Sequence, residues 1–249
     1  MSSHCLTNEE YAFLCLLLKH IDLRNWQVLD QILRTNPKKF VSVSEAIAKS
    51  SQLNGMTILH ACIRFDPPPS IVGNIIQLSP FSPGCVDCLN RTPLHIAAAI
   101  RANPQSIMIL TDACREACAI QDADGRTPLH LACDVHCELF EGEEGVVRAP
   151  PSFDVIRYLA SASPQSVPLE DECDMSALEL AILSGADIRS VKFLMHVTQM
   201  QCKSKCRSPH CTFQMLDGLY RSPKGTFIQR KRDAIPREEK HLFHGCTAR

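Results

Sequence analysis

Apolar positions recur at helical spacing along most of the first 198 residues, in short runs that polar turns separate. The N-terminal part predicts a pair of helices, one from Asn8 to about His20 and one from about Asn25 to Asn36. Beyond Thr198 the apolar periodicity stops. The pattern therefore predicts a helical body followed by a tail that lacks regular structure.

One stretch, Asp124–Cys133, organises the helical body because each of its residue types suits one step of a turn followed by a helix. Gly125 can adopt a positive φ, Thr127 can cap a helix N-terminus, and Pro128 suits the first helical turn. Similar stretches, one intact and two altered, predict further helix starts after Thr92, Thr57 and Ser176.

The spacing of these starts predicts an insertion. The three Thr residues lie 35 residues apart, whereas Ser176 lies 49 residues beyond Thr127. The second helices have inward apolar residues at Val72, Ile107, Ile156 and Val191. These residues also follow one another at 35 residues, except that 14 extra residues precede Ile156 in the third unit. We therefore predict an insertion between the two helices of the third unit, at Glu138–Pro151, and its composition is that of a solvated loop.

The residue two positions before each helix start indicates a tight turn. These residues are all types that tolerate a left-handed backbone, namely Gly55, Asn90, Gly125 and Asp174. Prolines that follow second helices repeat as well, at Pro37, Pro80 and Pro164.

The T-P-L-H-x-A pattern resembles the ankyrin repeat, and the resemblance covers about residues 9–198. It implies an all-α helical solenoid in which each unit is a turn followed by two antiparallel helices. The expected organisation is an N-terminal helical cap or degenerate repeat (9–54), a repeat array (55–198) and a disordered basic tail (199–249). Repeats would start near residues 55, 90, 125 and 174.

The same resemblance implies a non-catalytic adaptor or scaffold that binds a protein partner on its concave side. The turn tips would contribute Asp87, Leu89, Arg91, Asp122, Asp124 and Arg126. The first helices would add Arg64, Phe65, Ile100, Arg101 and Asp134. No cofactor and no catalytic residue are expected, and the sequence leaves the identity of the partner and the oligomeric state open.

Charge distribution keeps a second function open. From Cys202 onward the chain has 11 Lys and Arg against 4 Asp and Glu, a net charge of +7. Because the whole chain has a net charge of −1, residues 1–201 have a net charge of −8. A short basic cluster, Gln229–Arg232, is typical of a nuclear address or a polyanion contact as well as of a solvated charge run. A nuclear or nucleic-acid-associated regulator is therefore the alternative, although nucleic acid is not the expected partner.

Cysteine usage favours a reducing intracellular compartment, in the cytoplasm, the nucleus or both. The apolar run Tyr11–Leu18 follows two glutamates where a secretory signal would be basic, and no apolar run reaches the length of a membrane span. The 14 cysteines therefore predict reduced thiols, many at core positions, rather than a disulfide framework.

Candidate chemistry rests on cysteine and histidine. Cys85 and Cys88 form a C-x-x-C pair in a loop, and two further pairs, Cys114/Cys118 and Cys133/Cys137, have the i, i+4 spacing of a helix face. The tail offers a weak zinc candidate in Cys202, Cys206, His210 and Cys211, whose spacing departs from common zinc sites. A thiol- or zinc-dependent protein thus stays open, whereas His95 and His130 are interpreted as hydrogen-bonded helix-start residues.

Overall fold

The computed structural model describes residues 6–49, 53–140, 143 and 145–205. Within this part of the chain the regular structure is helical, with short 3₁₀ turns after three of the second helices. The α-helices are α1 (Asn8–Asp22), α2 (Trp26–Thr35), α3 (Pro37–Lys49), α4 (Ile58–Ile63), α5 (Pro69–Leu78), α6 (Pro93–Ala99), α7 (Pro104–Ala113), α8 (Pro128–Cys133), α9 (Phe153–Ala162), α10 (Ala177–Leu183) and α11 (Ile188–Lys205).

These helices stack in two layers. One layer holds the first helices, in which α1, α4, α6, α8 and α10 each contact the next. The other holds the second helices, in which α2, α5, α7 and α9 do the same, and the Phe153 ring meets the Phe193 ring of α11 edge-on with centroids 6.2 Å apart. The predicted all-α solenoid is therefore confirmed.

The helix starts follow the predicted register. Thr57, Thr92, Thr127 and Ser176 are the N-cap residues of the four first helices. The residues two positions earlier all have positive φ, at Gly55 (77°), Asn90 (57°), Gly125 (73°) and Asp174 (55°). Of the inward residues in the second helices, Val72, Ile107 and Ile156 are buried. Val191 is half-buried because α11 is the outermost second helix that the structure describes.

The N-terminal segment differs from the predicted helical pair, because it contains three helices. Helices α1 and α2 are present, and α1 begins with a capping box between Thr7 and Glu10. Pro37 does not only terminate α2. It also occupies the first position of α3, where a missing N–H costs nothing. Helix α3 buries Phe40, Val43 and Ile47 and contacts α1, α2 and α5.

The residues for which the sequence predicts an insertion lie between α8 and α9, and their described part is not simply a solvated loop. We call Glu138–Pro151 the inserted segment. Its residues Phe140, Glu143 and Arg148 are half-buried, and Pro151 is buried. The connections between the two helices of the other units take only 64–68, 100–103 and 184–187. The segment is therefore an addition to an otherwise regular unit, and it folds back onto the array.

Two further outcomes concern the cysteine pairs and the C-terminal helix. The i, i+4 pairs do not lie on helix faces: Cys114 and Cys118 are in a cap and a 3₁₀ turn, and Cys137 lies beyond the end of α8. Helix α11 continues past Thr198 to Lys205. From residue 206 onward, the tail for which disorder was predicted lies outside the described residues. Among the helices the structure describes, none combines the length and the apolarity that crossing a bilayer requires.

Candidate functional site

A histidine joins the helix start of each of the first three units to the following unit. In the first unit, the Thr57 backbone N–H donates to Nδ1 of His60 at 3.0 Å, and Nε2 of His60 lies 2.9 Å from the carbonyl oxygen of Arg91. His95 and His130 repeat the arrangement, reaching the carbonyl oxygens of Ile120 and Leu169 at 3.1 and 3.0 Å. Since a carbonyl only accepts, Nε2 carries the proton in all three rings. The predicted structural role of His95 and His130 is confirmed.

Burial keeps these imidazoles neutral. Desolvation lowers the pKa of His60 to about 4 and that of His95 to about 3, and it lowers the pKa of His130 in the same direction. Hydrogen bonds to backbone carbonyls oppose the shift in each case but are too weak to reverse it. The three rings therefore act as fixed connectors, and their lone Nδ1 acceptors are already used by the Thr N–H groups.

The hairpins are the loops that precede the first helices of the second, third and fourth units, each with an aspartate that bonds its own backbone. Asp87 Oδ1 accepts from the N–H groups of Leu89 and Arg91, both at 2.9 Å. Asp122 and Asp171 make the corresponding pairs of bonds. Because these carboxylates replace missing backbone partners, they fix the shape of each hairpin.

Neighbouring hairpins are also bonded to one another through their backbones. The N–H of Cys88 donates to the carbonyl of Asn54 at 2.7 Å, that of Ala123 to Leu89 at 2.9 Å, and that of Glu172 to Asp124 at 3.0 Å. The tips therefore form one continuous row along an edge of the array.

The tip residues predicted from the sequence fall into two groups. Asp87 and Asp122 are buried, and they pair with Arg91 (2.8 Å) and Arg126 (3.3 Å), so all four side chains are engaged within their hairpins. Arg126 also contacts the Asp124 carboxylate. Two predicted residues remain accessible, since Leu89 is 37% exposed and the Asp124 side chain is 64% exposed.

The predicted first-helix residues lie at the ends of α4, α6 and α8. Phe65 is half-buried beside the Arg24 guanidinium, which lies 5.7 Å from its ring centroid. Ile100 and Arg101 follow α6, and Asp134 follows α8. Arg101 joins two units: it donates to the carbonyl oxygens of Ala98 (2.8 Å), Leu131 (2.7 Å) and Asp134 (2.9 Å).

The inserted segment covers part of this surface, which the sequence did not predict. The Leu139 carbonyl accepts from Arg91, just before α6, at 3.0 Å, and the Ala149 carbonyl accepts from Arg101, just after α6, at 3.3 Å. The segment is thus bonded to the residues on either side of α6, a helix in which every residue is buried. The one available signal was Phe140, an aromatic residue in a run of polar residues, whose ring lies 4.0 Å from the Arg64 guanidinium.

The buried thiols of the array are poor nucleophiles, and the described thiols are not arranged as metal ligands. Burial raises the pKa of Cys133 to about 12 and those of Cys118 and Cys137 to about 11, and it also raises that of Cys85. In the described part of the chain, no three His, Cys, Asp or Glu side chains come together as metal ligands. Of the zinc candidates, Cys202 is half-buried at the end of α11. Cys206, His210 and Cys211 lie outside the described residues.

Comparison with known families agrees with this geometry. Residues 59–142 match the family model of ankyrin repeats in 3 copies, from within α4 into the inserted segment. The search of curated proteins finds no match for the chain. Ankyrin repeats generally serve as protein–protein interaction modules, and the family is typically non-enzymatic. With its capped helix pairs, its left-handed turn residues and this match, the part of the chain from residue 59 to residue 142 consists of ankyrin repeats.

Proposed function

We propose that this chain is a non-catalytic adaptor or scaffold that acts inside the cell and binds a protein partner through its hairpin tips and first helices. The supporting observation is the bonded row of tips: backbone bonds and the three histidines hold each hairpin against its neighbours. A surface that is rigid before binding loses little conformational entropy in a complex.

The accessible part of the row has mixed chemistry. Val86 and Leu89 are each 37% exposed, and the exposed carboxylate of Asp124 lies one unit further along. Apolar anchors beside charged rim groups are typical of protein interfaces of ordinary polarity. The buried ion pairs Arg91–Asp87 and Arg126–Asp122 support the tips from below, so they contribute to the shape of the surface rather than to direct contact.

Capture of binding proteins from a native extract by the full chain, followed by affinity measurement with the recovered partner, tests this proposal. The double variant Leu89→Arg with Asp124→Arg should weaken binding at least about tenfold, or about 1.4 kcal/mol. A matched control is Met108→Arg, which adds a charge at an exposed position of α7 in the layer of second helices. Equal affinities for the tip variant, the control and the parent would contradict the proposal.

Truncation after Gln201 separates the array from the basic tail. Residues 1–201 form one compact unit, and we expect this fragment to keep its affinity within about tenfold of the full chain. A basic segment adds mainly salt-sensitive attraction, because exposed charges are screened at physiological ionic strength. Loss of binding on truncation, with silent tip variants, would move the function to residues 202–249 and support the nuclear regulator instead.

A further inference from the structure

The inserted segment occupies the surface on which the first helices would meet a partner. Phe140 contacts Arg64 of the first unit, Leu139 contacts Arg91 just before α6, and Ala149 contacts Arg101 just after α6, so the described residues of the segment reach both units. We propose that the inserted segment is an intramolecular occupant of the concave surface, displaced by a protein segment that carries an aromatic residue flanked by carboxylates. This inference rests on the proposed function and names the chemistry of the partner.

The aromatic requirement follows from the position of Phe140. Two guanidinium groups lie over its ring, that of Arg64 at 4.0 Å and that of Arg91 at 5.9 Å from the ring centroid. Guanidinium groups stack favourably on aromatic faces, and the attraction grows as water is excluded. A competing segment gains the same contacts only if it places an aromatic ring at this point.

The acidic requirement follows from the charges beneath the segment. Arg64 makes no ion pair with a described residue, and the guanidinium of Arg101 is bonded to main-chain carbonyl oxygens alone. A carboxylate forms stronger, charge-assisted bonds with a guanidinium than a carbonyl does. A partner with acidic groups beside its aromatic residue can therefore pair with the Arg64 guanidinium, replace the Ala149 carbonyl at Arg101 and gain free energy in the exchange.

The segment can be displaced from the array as one unit, because several of its described bonds join two of its own residues. Glu143 pairs with Arg148 at 2.7 Å and also accepts from the N–H of Leu139 at 3.0 Å. The Arg148 N–H donates to the Val135 carbonyl at 2.8 Å, which closes the base of the loop. At its far side Val146 and Val147 are exposed, and Gly145 has open space around it. Among the described contacts of the segment, displacement breaks those with Arg64, Arg91 and Arg101.

The test uses the full chain with Glu138–Pro151 deleted, which leaves a five-residue connection of the length found between α4 and α5. The probe is a fluorescent synthetic peptide with the sequence of residues 138–151. We expect saturable binding to the deleted chain with a dissociation constant at least tenfold lower than for the wild-type chain, whose own segment competes at an effective concentration on the order of millimolar.

Peptide variants test the chemistry of recognition. The peptide with Phe140→Ala should bind the deleted chain at least tenfold more weakly. The peptide with Val147→Ala should bind like the parent, because Val147 is 65% exposed. The deleted chain with Arg64→Ala should also lose the peptide. Equal effects of the two peptide variants would overturn the aromatic requirement.

A second chain variant tests the proposal even if the deleted chain does not fold. The full-length chain with Phe140→Ala keeps its length and should bind the peptide more tightly than the wild-type chain. The proposal is overturned if a folded deleted chain shows no binding up to about 1 mM peptide, or if it binds no better than the wild-type chain. Because the probe is synthetic, this failure is distinguishable from a failure to capture any natural partner at the tips.

Discussion

The Nε2 atom of His60 lies 2.9 Å from the carbonyl oxygen of Arg91, so the helix start of the first unit is bonded to the hairpin of the second. The side chain does this while its Nδ1 atom accepts from the Thr57 N–H of its own unit. One buried ring therefore satisfies a helix N-terminus and a neighbouring loop at once. The same pairing in the next two units makes the integrity of the array depend on three neutral imidazoles.

Acid should therefore destabilise this protein. The folded-state pKa values of His60 (about 4) and His95 (about 3) lie below the ordinary value of 6.5, and that of His130 is shifted the same way. Between pH 6.5 and 4 the unfolded chain binds protons that the folded chain cannot. The free energy of unfolding should thus fall as the pH drops, by up to about 1.4 kcal/mol per pH unit for each histidine.

Urea unfolding at pH 7, 6 and 5 measures this slope. As a control, His136→Gln replaces an exposed histidine outside the bonded row and should leave the slope unchanged. A free energy of unfolding that stays constant from pH 7 to 5 would contradict the assignment of the three rings as buried neutral connectors.

Removal of a helix cap should weaken the third unit. The Thr127 hydroxyl lies 2.8 Å from Nδ1 of His130 within a reciprocal capping box, and the residue is fully buried. Thr127→Ala should therefore lower the free energy of unfolding by about 1–2 kcal/mol. Thr127→Ser keeps the hydroxyl and should cost less, and Thr57→Ala should resemble Thr127→Ala. Denaturant midpoints that match the parent for both alanine variants would show that these caps are energetically silent.

Comparison of two glycines with the same φ separates the cost of backbone strain from the cost of a steric clash. Gly125 and Gly145 both have φ of 73°, but a Cβ at Gly125 would lie 3.1 Å from the Glu172 nitrogen, whereas one at Gly145 would meet nothing within 4 Å. Gly145→Ala should therefore cost only the left-handed strain of about 1–2 kcal/mol or less. Gly125→Ala should cost clearly more in thermal or urea unfolding, and equal losses would mean that the hairpin of the fourth unit shifts freely.

Substitution of Arg101 should reveal opposing effects of backbone and side chain. Its φ is 60°, which favours glycine, yet its guanidinium bonds carbonyl oxygens at the end of α8. Arg101→Ala keeps the strain and loses these bonds, so we expect a loss of about 1–3 kcal/mol. Arg101→Gly loses the same bonds but relieves about 1 kcal/mol of strain, so it should be the more stable of the two. The reverse order in urea unfolding would argue against the strain at this position.

Sequence spacing predicts the repeating parts of this fold well. The turn residues, the caps and the inward apolar residues follow from the 35-residue step, because each depends on contacts that recur in every unit. Helix α3 was not predicted because a proline such as Pro37 commonly follows the end of a helix, although proline also favours the first position of the next helix. Its apolar residues Phe40, Val43 and Ile47 do have helical spacing.

The candidate site was harder to predict because it depends on contacts that occur once. Asp87 and Asp122 are charged and lie at loop tips, so the sequence places them on the surface, whereas their carboxylates turn inward to bond their own hairpins. The path of the inserted segment is set by single contacts of Phe140 and two main-chain carbonyls, which no periodic pattern encodes.

Glu179 ends the series of side-chain bonds that join one unit to the next. It occupies the position of the three histidines and returns to its own cap, where Glu179 Oε2 accepts from the Ser176 N–H at 2.8 Å. Unlike an imidazole, an ionised carboxylate only accepts hydrogen bonds, so it cannot donate to a carbonyl of a further hairpin. A further unit packed after the fourth would therefore receive no side-chain bond from this helix start, and its hairpin would depend on main-chain bonds of the kind that joins Glu172 to Asp124.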